Sequence, residues 1–268
     1  MTRLLILLFL FTTAWLSSCR QGFFRNSSGS MENTLMAGQK FYVTSADRFE
    51  RNEIVTFDYF GNDYGSPTDE TGQYKQHWEK RVCRLIAYSG DMIEIKEGEV
   101  FINGRHIPLP PLAKVYYELR SRLYIEELDK QDLYMTNMEK SGDTFIYKVM
   151  LSGKDAAAYR QNKADIISVN RILPDQTYAA SDTVFARSAV NDSWTPDNYG
   201  PLRIPAPGES ITVDAGNYKL YKNIPGIQPG KNIIKEKLYF LLGDNRYGAE
   251  DSRYIGLISH SKMMGIVK

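Results

Sequence analysis

Ser28-Gly29-Ser30-Met31-Glu32-Asn33-Thr34-Leu35 is the stretch from which the rest of the chain is read. Two serines bracket a glycine shortly after an apolar N-terminal segment. A bare Ser-Gly-Ser reads as a turn. A serine hydroxyl is a poor nucleophile at neutral pH and needs a base and an oxyanion donor. Three features lift this stretch above a turn: the apolar segment before it, the Met-x-x-Thr-Leu continuation, and a polar box near the other end. That box is Gly243-Asp244-Asn245-Arg246, followed by Asp251-Ser252-Arg253.

Upstream, Met1-Thr2-Arg3 leads into Leu4 to Leu16, almost all apolar. An apolar run of about 7–15 residues fits a signal peptide, whereas a full span wants about 20. Leu16-Ser17-Ser18-Cys19 also matches a bacterial lipoprotein box, in which Cys19 would carry lipid. An uncleaved single-span anchor is the other reading, and both stay open. Either one places the body on the outer (periplasmic or extracellular) side of the cell membrane, with Arg3 inside and membrane lipid as a partner. Either also keeps Ser30 near the bilayer, because the chain from Cys19 reaches at most about 40 Å.

The 268 residues suffice for one large domain or a core with a sizeable insertion. Lys and Arg total 33 against 32 Asp and Glu, so charge gives no reason to expect nucleic acid. The 18 Tyr and 12 Phe suit a strand-rich body. Cys19 and Cys83 do not make a disulfide framework, and His77, His106 and His260 have no ligand-spaced partner.

Downstream, Phe41-Tyr42-Val43, Ile54 to Phe57, Arg81 to Tyr88, Met92 to Lys96 and Val100 to Ile102 alternate in the manner of half-buried strands. Glu97-Gly98 and Asn103-Gly104 read as hairpin turns. Asn62 to Gly72 reads as an exposed loop. From about Arg105 to Lys235 the texture changes. Val115 to Lys130 and Lys154 to Lys163 have helical character, and Asn198-Tyr199-Gly200-Pro201 reads as a turn. Leu238 to Leu242 is a buried-strand run that returns to the core.

Three blocks resemble the bacterial type I signal peptidases: Ser28 to Gly38, Arg51 to Phe57 and Gly243 to Arg253. They fall in that family's order, and Trp194 to Gly208 is similar to an inserted region of some members. The resemblance implies a mainly β fold, with a coiled antiparallel β-sheet core, an α+β insertion and an N-terminal membrane anchor. The expected division is 1–19 as anchor or lipoprotein-type signal, 26–104 plus 236–268 as core, and 105–235 as the inserted subdomain. It implies Ser30 as nucleophile, with the Ser28 hydroxyl and the Ser30 amide as oxyanion hole. Asp244, Asn245, Arg246, Asp251 and Arg253 would be structural support. The substrate would be the signal-peptide region of exported preproteins, lying as an extended strand on the sheet, with no cofactor or metal implied.

The family's base is a lysine that opens Lys-Arg-x-x-x-x-x-Gly-Asp. Counting back from Gly90-Asp91 puts Cys83 at the lysine's place. Lys80-Arg81 lies three residues earlier. Three is odd, so Lys80 and Cys83 point to opposite faces of a regular strand, and Lys80 reaches that position only through a bulge. Ala249 stands where members carry a serine that orients the lysine. Asn33 stands where many have proline. A buried thiol without a cation is a weak proton acceptor. Two readings follow from these residues: a serine endopeptidase using Ser30 and Lys80, and an inactive member that binds or scaffolds because Cys83 and Ala249 replace the base and its orienting serine; a third, an enzyme with a His or Lys base brought in from the inserted region, has no motif in the sequence.

Overall fold

A computed structural model describes residues 21–62, 76–129, 137–162, 164–173 and 194–268. The expected anchor lies outside these residues, as does most of the Asn62 to Gly72 loop. Among the described residues no helix is long and apolar enough to cross a membrane.

The chain is mainly β and its sheets are antiparallel. The first elements are β1 (Gly22–Arg25), β2 (Lys40–Thr44), β3 (Ile54–Asn62) and β4 (Gln76–Tyr88). The hairpins β5 (Met92–Lys96), β6 (Glu99–Ile102) and β7 (Arg105–Ile107) follow. Their turns are those read from sequence. Glu97-Gly98 and Asn103-Gly104 all take positive φ, the geometry that closes a two-residue hairpin with the right twist.

The next segment corrects one expectation. Lys114–Ser121 is a strand, β8, and the helix that follows is only α1 (Glu126–Asp129). Residues of β8 alternate between half-exposed and buried along most of its length, with Val115, Tyr117 and Leu119 inward. A helix over Val115 to Lys130 would keep Val115 and Leu119 on one face but turn Tyr117 to the opposite one. β9 (Asn137–Ser141), β10 (Thr144–Ser152), α2 (Gly153–Gln161) and β11 (Ile166–Arg171) complete the unit. Its sheet runs β11-β8-β10-β9. The α2 helix falls where the alanine run predicts it. Ser152 caps it in a reciprocal box with Asp155.

Asn198 to Pro201 is a second correction. Tyr199–Arg203 forms a strand, β12, paired to β5 with an irregularity between Tyr199 and Leu202. Gly200 makes this possible: its φ is 91°, and a Cβ there would lie 2.7 Å from the Ile93 carbonyl. β13 (Ser210–Val213) pairs with β14 (Gly230–Ile233). The chain ends in β15 (Leu238–Leu242), α3 (Ser252–Ile255), β16 (Ile258–Ser259) and β17 (Met263–Val267). The seven-stranded sheet runs β1-β2-β17-β3-β4-β15-β16.

Two apolar layers pack on this sheet near the Ser30 loop. Phe57, Leu85 and Tyr239 lie in one, with Cys83 among them. Met31, Leu35, Phe41, Val43 and Val82 form the other. Met31 has no exposed surface, and burying such a side chain stabilises by about 1.5–3 kcal/mol. The Ser30 loop is thus pinned to the sheet by the residue that follows the serine.

Candidate active site

Asn26 closes the loop at its base. Its amide donates to the carbonyls of Leu35 (2.8 Å) and Met36 (3.2 Å), and its backbone N–H bonds Gln39. The closing box then straps over the loop. The Asn245 N–H donates to the Ser30 carbonyl at 3.0 Å, and its side chain donates to the Gly29 carbonyl and to Glu32. Gly243 permits this close approach: a Cβ there would lie 2.2 Å from the Ala249 Cβ and 2.6 Å from the Ser30 carbonyl oxygen.

The charges of the box are partly buried in pairs. Asp244 has no exposed side-chain surface and accepts from Arg84 at two oxygens, at 2.8 and 2.6 Å. The Thr34 hydroxyl adds a third bond to it at 2.6 Å. Arg253 pairs through two nitrogens with Asp251, whose carboxylate also caps Gly243 N–H at 3.0 Å. Burial opposes the charge on Arg253, but Asp251 outweighs it and the guanidinium titrates above its ordinary value. Arg246 differs. It is buried, its Nε and Nη1 have no protein partner, and burial with the neighbouring Arg253 lowers it to about 10.

The Ser30 hydroxyl lies 2.9 Å from the Ser28 hydroxyl and donates to the Val82 carbonyl at 3.3 Å. The Ser30 N–H reaches the Ser28 oxygen at 3.4 Å. That carbonyl belongs to an open edge. β4 pairs with β3 from Gln76 to Arg84, but with β15 only from Arg84 to Tyr88. On the far side from β3, the edge up to Cys83 has no strand partner among the described residues. A cavity of about 200 Å³ lies along it, lined by Phe24, Ser28, Ser30, Lys80, Cys83 and Glu250 among others.

The lysine and the cysteine are separated by register. Pairing of β3 with β4 runs from Ile54–Arg84 to Asn62–Gln76 without a shift, so no bulge lies between Lys80 and Cys83 against β3. Lys80 shares a face with Val82, and its amine sits 5.1 Å from the centre of the Phe24 ring. Cys83 faces the other way, opposite Val55, and is 1% exposed. Burial first, and the Asp251 carboxylate second, push its thiol far above the usual range. Ala249 is fully buried. Next to Lys80, Arg81 is held by Glu250 at 2.8 Å, by Glu79, and against the Tyr59 ring.

Sequence reasoning did not single out three supports. Arg84 is the partner of Asp244, and the Arg in the Lys-Arg pattern was the available signal. Asn26 and Lys114 had none. Lys114 bonds Glu32 at 3.2 Å and makes a parallel bridge with Asn245, so the four-stranded sheet that holds β8 touches the serine loop.

The family model described as signal peptidase, peptidase S26, matches residues 1–268. The chain belongs to that family. It is also similar to the signal peptidase IB of Staphylococcus aureus strains Mu50, N315 and MW2, each 38% identical over 60 residues. That alignment covers 22% of this chain and 29% of each relative. The chain thus spans less than a third of the length of the curated relatives it matches.

Proposed function

We propose that this signal peptidase family member engages the signal-peptide region of exported preproteins on the outer side of the membrane. An extended segment adds to the open edge of β4, beside Ser30, and is bound there without being hydrolysed. The observation that carries the reading is the buried Cys83, held in register by the Arg84–Asp244 pair. Attack by Ser30 on a carbonyl requires an acceptor for its proton. The thiol at the family lysine's place is protonated at neutral pH, so it has no free pair of that strength to offer. Ala249 removes the hydroxyl that would orient an amine there. Asp244, Asn245, Arg246, Asp251 and Arg253 are the proposed supports; the Ser28 hydroxyl and the Ser30 N–H would be oxyanion donors only in a member whose Ser30 attacks.

A second reading keeps the peptidase. Lys80 lines the same cavity as Ser30, on the strand face of Val82, and a swing of its side chain away from Phe24 would carry the amine along that face. Ser30 would then be the nucleophile and Lys80 the base.

One experiment separates them. The detergent-solubilised full chain is incubated with an exported preprotein, and both binding and cleavage are read. The expected result is binding without cleavage, with Ser30→Ala binding as the parent does. Cleavage that disappears in both Ser30→Ala and Lys80→Met overturns the first reading in favour of the second. The pair Cys83→Lys with Ala249→Ser is expected to introduce cleavage.

A further inference from the structure

A second cavity, of about 530 Å³, opens on the other side of the Ser30 loop. Its walls are Asn33 from the Ser30 loop, Lys114 from β8, and Asp155, Tyr159 and Asn162 from α2 and its C-cap; Met150 and Leu151 form an apolar floor. Asn33 lines this cavity and Ser30 lines the first, three residues apart on one loop. The φ of Asn33 is 71°, a left-handed conformation that asparagine tolerates and proline cannot adopt. That turn carries its amide to Asp155 at 3.4 Å.

Resting on the preprotein reading above, we propose that this second cavity binds the part of the exported polypeptide that follows the processing junction. A strand added to β4 cannot continue past Cys83, because β15 occupies the edge from Arg84 onward. It must leave the sheet beside Ser30. The first cavity is lined by Phe24 to Ser28, the residues next after the apolar N-terminal segment. A signal segment held in the same bilayer enters from that side. The mature part therefore leaves by the other, where Asn33 stands three residues beyond Ser30. At about 3.3 Å per residue, a few extended residues past the junction span that short step along the loop. The chemistry suits such an occupant. Asn33, Asn162 and Tyr159 offer amide and hydroxyl partners for a peptide backbone, and Met150 with Leu151 accepts an apolar side chain.

The test places a photo-crosslinking residue at Ala158, exposed on the rim of the second cavity, or at Ser27, exposed in the first. A preprotein is bound to the full chain and irradiated, and the labelled residues are mapped by mass spectrometry. The probe at 158 is expected to mark positions about three to six after the junction, and the probe at 27 positions before it. Labelling from 27 with none from 158, or labelling from 158 only before the junction, overturns the second subsite while leaving preprotein binding in place. Labelling from neither overturns both. As an independent arm, Ala158→Trp is expected to weaken a peptide that crosses the junction about tenfold and to leave one that ends at it unchanged. Equal affinities for the two peptides in the variant and its parent overturn the proposal.

Discussion

Asp244→Asn tests the strap that holds the Ser30 loop. The substitution keeps the shape of the side chain and removes its charge. Arg84, whose side chain is 13% exposed, then keeps a guanidinium in the protein interior without a counter-charge, and one of the two oxygens shared by Arg84 and Thr34 becomes an NH2 donor. Breaking one partner of a buried pair costs about 3–5 kcal/mol. Unfolding entropy of about 2.1 cal/mol/K per residue over 268 residues amounts to about 0.6 kcal/mol/K. The expected fall in Tm is therefore about 5–9 °C, read by circular dichroism on the solubilised full chain. Replacing both partners, Arg84→Met with Asp244→Leu, removes the stranded charge and is expected to recover at least half of that loss. A fall of less than about 2 °C for Asp244→Asn refutes the claim that this pair fastens the loop. A double variant that melts no higher than Asp244→Asn refutes the claim that the stranded charge is the cause.

Three further outcomes follow from the same structure. Native Cys83 is expected to stay unmodified by a maleimide at pH 8 and to react only in denaturant; modification of the folded chain, read by peptide mass spectrometry, contradicts its burial. Asn33→Pro is expected to destabilise by more than about 1 kcal/mol, because proline cannot take φ 71°, whereas Asn33→Gly changes stability little; denaturant titration of the two separates them. Burial raises the Asp197 carboxyl, although its bond from Tyr247 pulls the other way. The folded chain thus holds that proton to a higher pH than the unfolded chain. Its contribution to stability declines as pH rises from the ordinary carboxyl value through the raised one, and Asp197→Asn is expected to flatten the Tm–pH curve there.

The core was legible where local rules and burial agree. Ile54 to Phe57, Met92 to Lys96 and Leu238 to Leu242 are strands in both readings, since alternation or an unbroken apolar run leaves little else. β8 was not, because Glu118, Leu119 and Arg120 are good helix formers and only the packed inward row of Val115, Tyr117 and Leu119 favours a strand. At the site, an ungapped count placed Cys83 three residues after Lys80. That a regular β3 partner would keep them on opposite faces could be stated beforehand, but the register itself is a long-range property. The Lys114 contacts were invisible for the same reason, because nothing near residue 114 points to residue 245.

Those Lys114 contacts make the four-stranded sheet a lever on the Ser30 loop. The Lys114 N–H holds the Asp244 carbonyl, the Lys114 carbonyl holds Arg246 N–H, and between them Asn245 grips the Ser30 carbonyl. A load applied to β8 travels to the serine across one residue and two hydrogen bonds. The placement of β8 thereby sets the geometry of the groove beside Ser30.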